Sequence, residues 1–152
     1  MQKKEGRMQT IAAGRARYAW ECAKEGVGIA EGKEIDGQKY NDKMYGSYIK
    51  RLPELIKTNG LGAALAFVFS KRQKNPEKEK NAYDLIYYQI QKWLEKPQNA
   101  HLWGKSLTSG NDLIEKIVTC KSPEYRALTI EVMALLSWIR RFVEGLSEEE
   151  YG

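Results

Sequence analysis

The sequence has little of what metal and redox chemistry needs. It contains one histidine, His101, and two cysteines, Cys22 and Cys120. A zinc site takes three or four His, Cys or carboxylate ligands at short spacings, and no second His or Cys lies at such a spacing, so no zinc centre is expected. The two cysteines are far apart and form neither a disulfide framework nor a CxxC pair. They read as reduced, buried thiols of a cytoplasmic protein. Both fall on apolar helical faces, where a cysteine packs rather than acts as a nucleophile. Long apolar runs are also missing. The longest lies near Leu61 to Phe69, far short of the roughly 20 residues that span a membrane. The opening MQKKEGRM has no apolar core, so no secretion signal is expected. Gly60-Leu61-Gly62 is too short for a phosphate loop and lacks the GK[ST] ending. Glu148-Glu149-Glu150 reads as a solvated tail, because a catalytic pair needs two carboxylates in a protected cleft. No catalytic residue, metal or cofactor is therefore assigned.

What the sequence does have is helical period. A chain of 152 residues with 42% apolar and 30% charged side chains suits one soluble domain over residues 1–152 with a core of its own. Met8, Ile11, Ala12, Tyr18, Ala19, Cys22 and Ala23 fall on one helical face. Tyr45, Tyr48, Ile49, Leu52, Leu55 and Ile56 form a second stripe that passes through Pro53, where a kink or a fresh start is expected. Asn59-Gly60 reads as a helix end, and LGAALAFVF after it as a buried helix. Asn75-Pro76-Glu77 carries a capping Asn, a first-position Pro and an early acid, and predicts the start of the helix whose stripe is Tyr83, Ile86, Tyr87, Ile90, Trp93 and Leu94. A short helix is expected around Asp112 to Thr119. Ser122-Pro123-Glu124 starts a last helix that is apolar on several sides and is expected to be central. The glycine-rich segment from Gly26 to Tyr40 and the segment from Pro97 to Gly110 read as the two longer loops, with Leu102 and Trp103 placed to pin the second to the body. The fold class is all-α, a compact bundle of about six helices.

Charge is unevenly placed. The net charge of +5 divides into +7 from Met1 to Pro76 and −2 from Glu77 to Gly152. Such polarity suits a polyanion on one side and a basic partner, or a second copy, on the other. With the Tyr45–Ile56 stripe turned inward, Lys43, Lys50 and Lys57 line up on the opposite face with Arg51 beside them, in a row roughly 21 Å long at helical rise. A row of that length can follow several backbone phosphates. The competing reading is a solvated lysine face interrupted by Asp42 and Glu54. Arg17, Trp20 and Lys24 cluster on the outer face of the first helix, where Trp20 either stacks on a base or partner or packs under a neighbouring helix. Arg15 lies within the apolar stripe and snorkels, pairs with a buried acid or enters an interface. Arg140 and Arg141 are further candidates for RNA contact. Arg15, Trp20 and Trp103 are the candidate partner anchors.

The order of three segments is informative: YGSYIKRLPELIKTNGLGAALAFVFSK, then AYDLIYYQIQKWL, then EYRALTIEVMALLSWIRRF. It resembles the small all-helical subunit of the type III-B CRISPR (Cmr) RNA-guided effector complex. KRLP, the following NGLG and Leu65-Ala66-Phe67 carry most of that resemblance. It implies a compact helical bundle without nuclease activity. Copies would stack head to tail as a minor filament beside the backbone subunits that hold guide RNA. They would line the channel where target RNA pairs with the guide and touch RNA backbone rather than bases. Cleavage and nucleotide signalling would belong to other subunits, including the large signalling subunit. Lys50 and Arg51 fall in the KRLP-like segment. The alternative is a helical protein–protein adaptor whose basic face docks an acidic partner.

Overall fold

The structure is a computed structural model that describes residues 2–103 and 112–151, with side chains for 13–103 and 112–147. The side chains of Met8, Ile11, Ala12 and Glu148–Glu150, and the 104–110 part of the second loop, lie outside these. Six α-helices dominate: α1 (Gln2–Gly28), α2 (Tyr45–Asn59), α3 (Leu61–Ser70), α4 (Ala82–Leu94), α5 (Leu113–Thr119) and α6 (Ser122–Tyr151). Two short antiparallel strands, β1 (Lys33–Ile35) and β2 (Gln38–Tyr40), lie between α1 and α2. The class is all-α, as the helical period predicts.

The stripes become the core. Ile49, Leu52 and Ile56 of α2, Leu61, Leu65 and Val68 of α3, and Leu128, Val132, Leu135 and Ile139 of α6 are all buried in one cluster. α2 runs through Pro53 as one helix. Gly60 ends it with φ 89° and ψ 162°, a conformation open essentially to glycine alone. α3 then starts at once, and its Gly62 amide, unpaired within the helix, donates to the Tyr125 hydroxyl at 2.8 Å. Tyr125 near the start of α6 thus meets the end of α2, while Val143 near its far end lies against Gly46 at the start of α2. The two helices are antiparallel. α1 and α2 approach so closely that a Cβ on Gly26 would lie 2.0 Å from the Tyr45 ring.

Four expectations need correction. α4 does not begin at Asn75-Pro76. Those residues make a turn, with the Glu77 amide donating to Asn75 Oδ1 at 3.0 Å and the Lys78 amide to the Asn75 carbonyl at 3.1 Å. Lys80 then runs extended beside β2, so helix cannot form before Asn81. There Asn81 and Asp84 cap each other's backbone reciprocally. The Gly26–Tyr40 segment is not a plain loop. α1 continues to Gly28, and Asp36-Gly37, with φ 48° and 81°, turns the hairpin as a two-residue primed turn requires. The central helix is α4, which packs against α1, α2 and α3 and buries Ile86, Tyr87, Ile90, Trp93 and Leu94 together with Gln89. α6 buries one face and leaves Ile130 70% exposed. Finally, Trp103 is fully buried and its Nε1 donates to the Leu94 carbonyl at 2.9 Å. It closes the open end of α4 together with Asn99, whose Nδ2 donates to the Trp93 carbonyl at 2.8 Å. Trp103 therefore pins its loop and offers no surface to a partner.

Candidate nucleic-acid interface

The eight cations read from the sequence as RNA contacts are all exposed, and they fall into two groups. The first lies on α2. Tyr45, Ile49, Leu52 and Ile56 face the core, so Lys50, Arg51 and Lys57 must point outward at 3.6 residues per turn. Lys43 precedes the helix and sits in the turn that leads into it. The helical row is therefore Lys50 to Lys57, about 10 Å at 1.5 Å per residue. Asp42, read as an interruption of the row, is instead a backbone fastener. Its two oxygens accept the amides of Met44 and Ala82, both at 2.9 Å. Glu54 remains an exposed acid on this face.

Arg51 also borders a groove that the sequence did not suggest. Tyr48 and Tyr83 stack with centroids 4.0 Å apart and planes 16° from parallel, and Phe67 meets Tyr83 edge-on at 5.9 Å. With Leu52, Leu55 and Val68 they line an apolar cavity of about 390 Å³. Phe67 is 42% exposed at its mouth, and Lys71 Nζ lies 5.7 Å from its ring centroid. Partial burial raises the Tyr83 hydroxyl above its ordinary pKa, with Tyr48 adding to the rise and Arg51 opposing it.

The second group lies on α1 and α6. Phe142 joins them, meeting Trp20 edge-on at 5.2 Å and Trp138 at 5.6 Å. Trp20 is 39% and Trp138 40% exposed. Trp20 thus packs partly against α6, as the neighbouring-helix reading expects, and keeps part of its surface exposed. Lys24 lies 5.7 Å from the Trp20 centroid and pairs with Glu21 at 3.2 Å. Arg17 precedes Trp20 by one turn, and Arg141 follows Trp138 by one turn. Arg140 pairs along the helix with Glu144 at 3.1 Å. Arg15 takes the buried-acid option. Its Nε and Nη2 donate to Glu131 Oε2 and Oε1 at 2.6 and 2.9 Å, a two-pronged pair that ties α1 to α6. One planar edge of the guanidinium is thus occupied within the molecule.

Behind these surfaces a polar knot fixes α1, α2 and α4. The Tyr45 hydroxyl donates to Gln89 Oε1 at 2.6 Å, Gln89 Nε2 donates to the Cys22 carbonyl at 3.1 Å, and Tyr18 donates to the Gln89 carbonyl at 2.6 Å. Burial holds the Tyr45 and Tyr18 hydroxyls and the Cys22 thiol far above their ordinary pKa values, with Cys22 and Glu25 adding to the rise at both tyrosines. These groups stay neutral and structural.

One cationic segment has a plain signal that the helical reading passes over. KRQKNPEKEK, residues 71–80, holds five cations, and its Asn75-Pro76 draws the eye to a helix start instead. It packs against the β hairpin and encloses a polar cleft with it. Among the described residues no group of three or more His, Cys, Asp or Glu side chains converges as a metal site, and no helix is long and apolar enough to cross a membrane.

The family model for a CRISPR-associated protein (Cas_Cmr5) matches residues 11–146. This range includes every segment on which the resemblance rests. A solved structure, the X-ray crystal structure of a CRISPR-associated Cmr5 family protein from Thermus thermophilus, is similar at a TM-score of 0.60 and 23% identity, over 90% of this chain and 96% of that one. At that identity the likeness speaks for the fold, and the family match speaks for membership. This chain belongs to the Cmr5 family of CRISPR-associated proteins, the small subunit of the type III-B Cmr complex.

Proposed function

We propose that this subunit is non-catalytic and acts in the cytoplasm as a lining piece of the Cmr complex. Copies stack head to tail beside the guide-holding backbone subunits and near the large signalling subunit, and their outer cations touch guide and target RNA through the phosphate backbone. The observation that carries the RNA part is the outer face of α2. Lys50, Arg51 and Lys57 are exposed and enter no ion pair among the described residues. Their charge is available to phosphates, which such cations bind without regard to sequence. The opposed charges of the two halves of the chain favour a head-to-tail contact between copies.

The test is purification of the tagged protein from its native host, with the bound RNA sequenced and the bound proteins identified. Short guide RNAs with a shared repeat-derived end, together with backbone subunits, are expected. In that complex, K50E/R51E is expected to lower affinity for target RNA uniformly across sequences. Recovery of one acidic protein and no RNA would overturn the reading. That outcome would favour the adaptor alternative, which draws on a specific feature: Arg51 stands on the rim of an apolar groove, as the charged rim of a protein-docking site would. Adaptor binding would depend on anchors such as Phe67 or Trp20 and would respond weakly to salt.

A further inference from the structure

The 71–80 loop is rigidly built. Both its ends are tied to one carboxylate, because the amides of Gln73 and Asn81 each donate to Asp84 Oδ2 at 3.0 Å. Asn81 Nδ2 also donates to the Lys71 carbonyl at 2.9 Å, which closes the loop on itself. The loop is then laid along the hairpin. The Lys80 amide donates to the Lys39 carbonyl at 2.8 Å and the Asn41 amide to the Lys80 carbonyl at 3.0 Å. Between loop and hairpin lies an open cleft of about 460 Å³. Lys39, Lys74, Lys78 and Lys80 line it, with amides from Gln38 and Gln73 between them. Glu77 and Glu79 line it too, which leaves the wall net positive by two charges. None of the four lysines enters an ion pair among the described residues. Arg72, at the base of the loop, is held between the faces of Phe69 and Tyr87 at 3.9 and 4.7 Å.

We infer that this cleft is a binding site for the phosphodiester backbone of an unpaired RNA strand, and that it forms a second stretch of the RNA surface beside α2. The inference rests on the RNA reading above for the identity of the polyanion. The cleft has ammonium and amide groups but no aromatic platform, so it suits phosphates and not bases. At about 460 Å³ it is too small to enclose a duplex, so it can take only one strand. Its lysines ride on a backbone already fixed by hydrogen bonds, so little further ordering of the chain opposes binding. Lys43 is exposed and lies in the short connection from β2, which bears Lys39, to the start of α2, which bears Lys50.

The test compares the full chain with K39Q/K74Q/K78Q/K80Q and with the charge-preserving K39R/K74R/K78R/K80R, using polyuridylate between about 50 and 200 mM salt. Each phosphate contact on a single strand contributes about 0.7 to the slope of log affinity against log salt, so the Gln variant should lose about 2 to 3 of slope. The Arg variant should keep wild-type slope, and all three proteins should melt together. If the Gln variant binds like wild type while K50E/R51E does not, the cleft inference fails and the RNA reading stands. If the Gln variant keeps RNA binding but no longer joins the other Cmr subunits, the cleft is a protein surface and the inference is overturned. If the wild-type chain binds no strand at all, both fall.

Discussion

The pair between Arg15 and Glu131 offers the sharpest test of how the bundle is held. Two separate hydrogen bonds, 2.6 and 2.9 Å long, join the same two side chains of α1 and α6. Glu131 is only 7% exposed and Arg15 20%. The hydrogen bond that Arg15 donates to Glu131 raises the Arg15 pKa above its ordinary value against the cost of burial. Removing one partner strands the other charge in a poorly solvated place. Fully buried pairs lose about 3–5 kcal/mol in this way, and the partial exposure of Arg15 brings the expectation to about 2–3 kcal/mol. R15M and E131L should each show that loss. The double variant replaces the pair with apolar contact and should recover to within about 1 kcal/mol of wild type. For a chain of this size about 1 kcal/mol moves the melting point by about 2–4 °C, so each single variant should melt about 4–12 °C lower. Urea unfolding of all four proteins completes the cycle. Single losses under about 0.5 kcal/mol that add in the double variant would refute the reasoning, because the pair would then be screened by water.

Three further outcomes are expected. G26A gains about 1 kcal/mol in helix propensity but drives a Cβ to 2.0 Å from the locked Tyr45 ring. It should lose about 2 kcal/mol net by urea midpoint, and an unchanged midpoint would show that α1 and α2 separate at little cost. Cys22 is buried and its thiol is held protonated by that burial, whereas Cys120 is partly open. A thiol reagent at mild alkaline pH should therefore modify one cysteine in the native protein and two in denaturant, and rapid modification of Cys22 would reveal local opening between α1 and α4. The Tyr88 hydroxyl, then Lys92, holds the Asp36 carboxyl below its ordinary range. Its contribution to docking the hairpin on α4 is thus complete above the unfolded carboxylate value of about 3.9 and is lost as pH falls through the lower folded value. An NMR titration of the β1 and β2 amides should show this low-pH step, and D36N should abolish it.

The cationic face of α2 was legible because it follows from local period alone. Once Ile49, Leu52 and Ile56 turn inward, geometry sends Lys50, Arg51 and Lys57 outward. Lys43 was not legible in the same way, because its place depends on where the helix begins, and Asp42 fixes that through its bonds to Met44 and Ala82. The start of α4 misled for a related reason. Asn75-Pro76 and Asn81 both carry a capping signal, and only the pairing of Lys80 with the hairpin decides between them. Asp36-Gly37 was a readable turn, but strands of three residues are too short for alternation to show.

The sequence by itself determined the helices, their inward faces and the family. These depend on residues a few positions apart, whose spacing is set by helix geometry. The tertiary structure alone decided that Arg15 meets Glu131 116 positions away, that Trp103 closes the end of α4, and that Tyr48, Phe67 and Tyr83 form one groove. It also brought Lys39 to the 71–80 loop. Such meetings depend on how helices dock, which is set by the fit of whole faces and leaves no periodic trace in the chain.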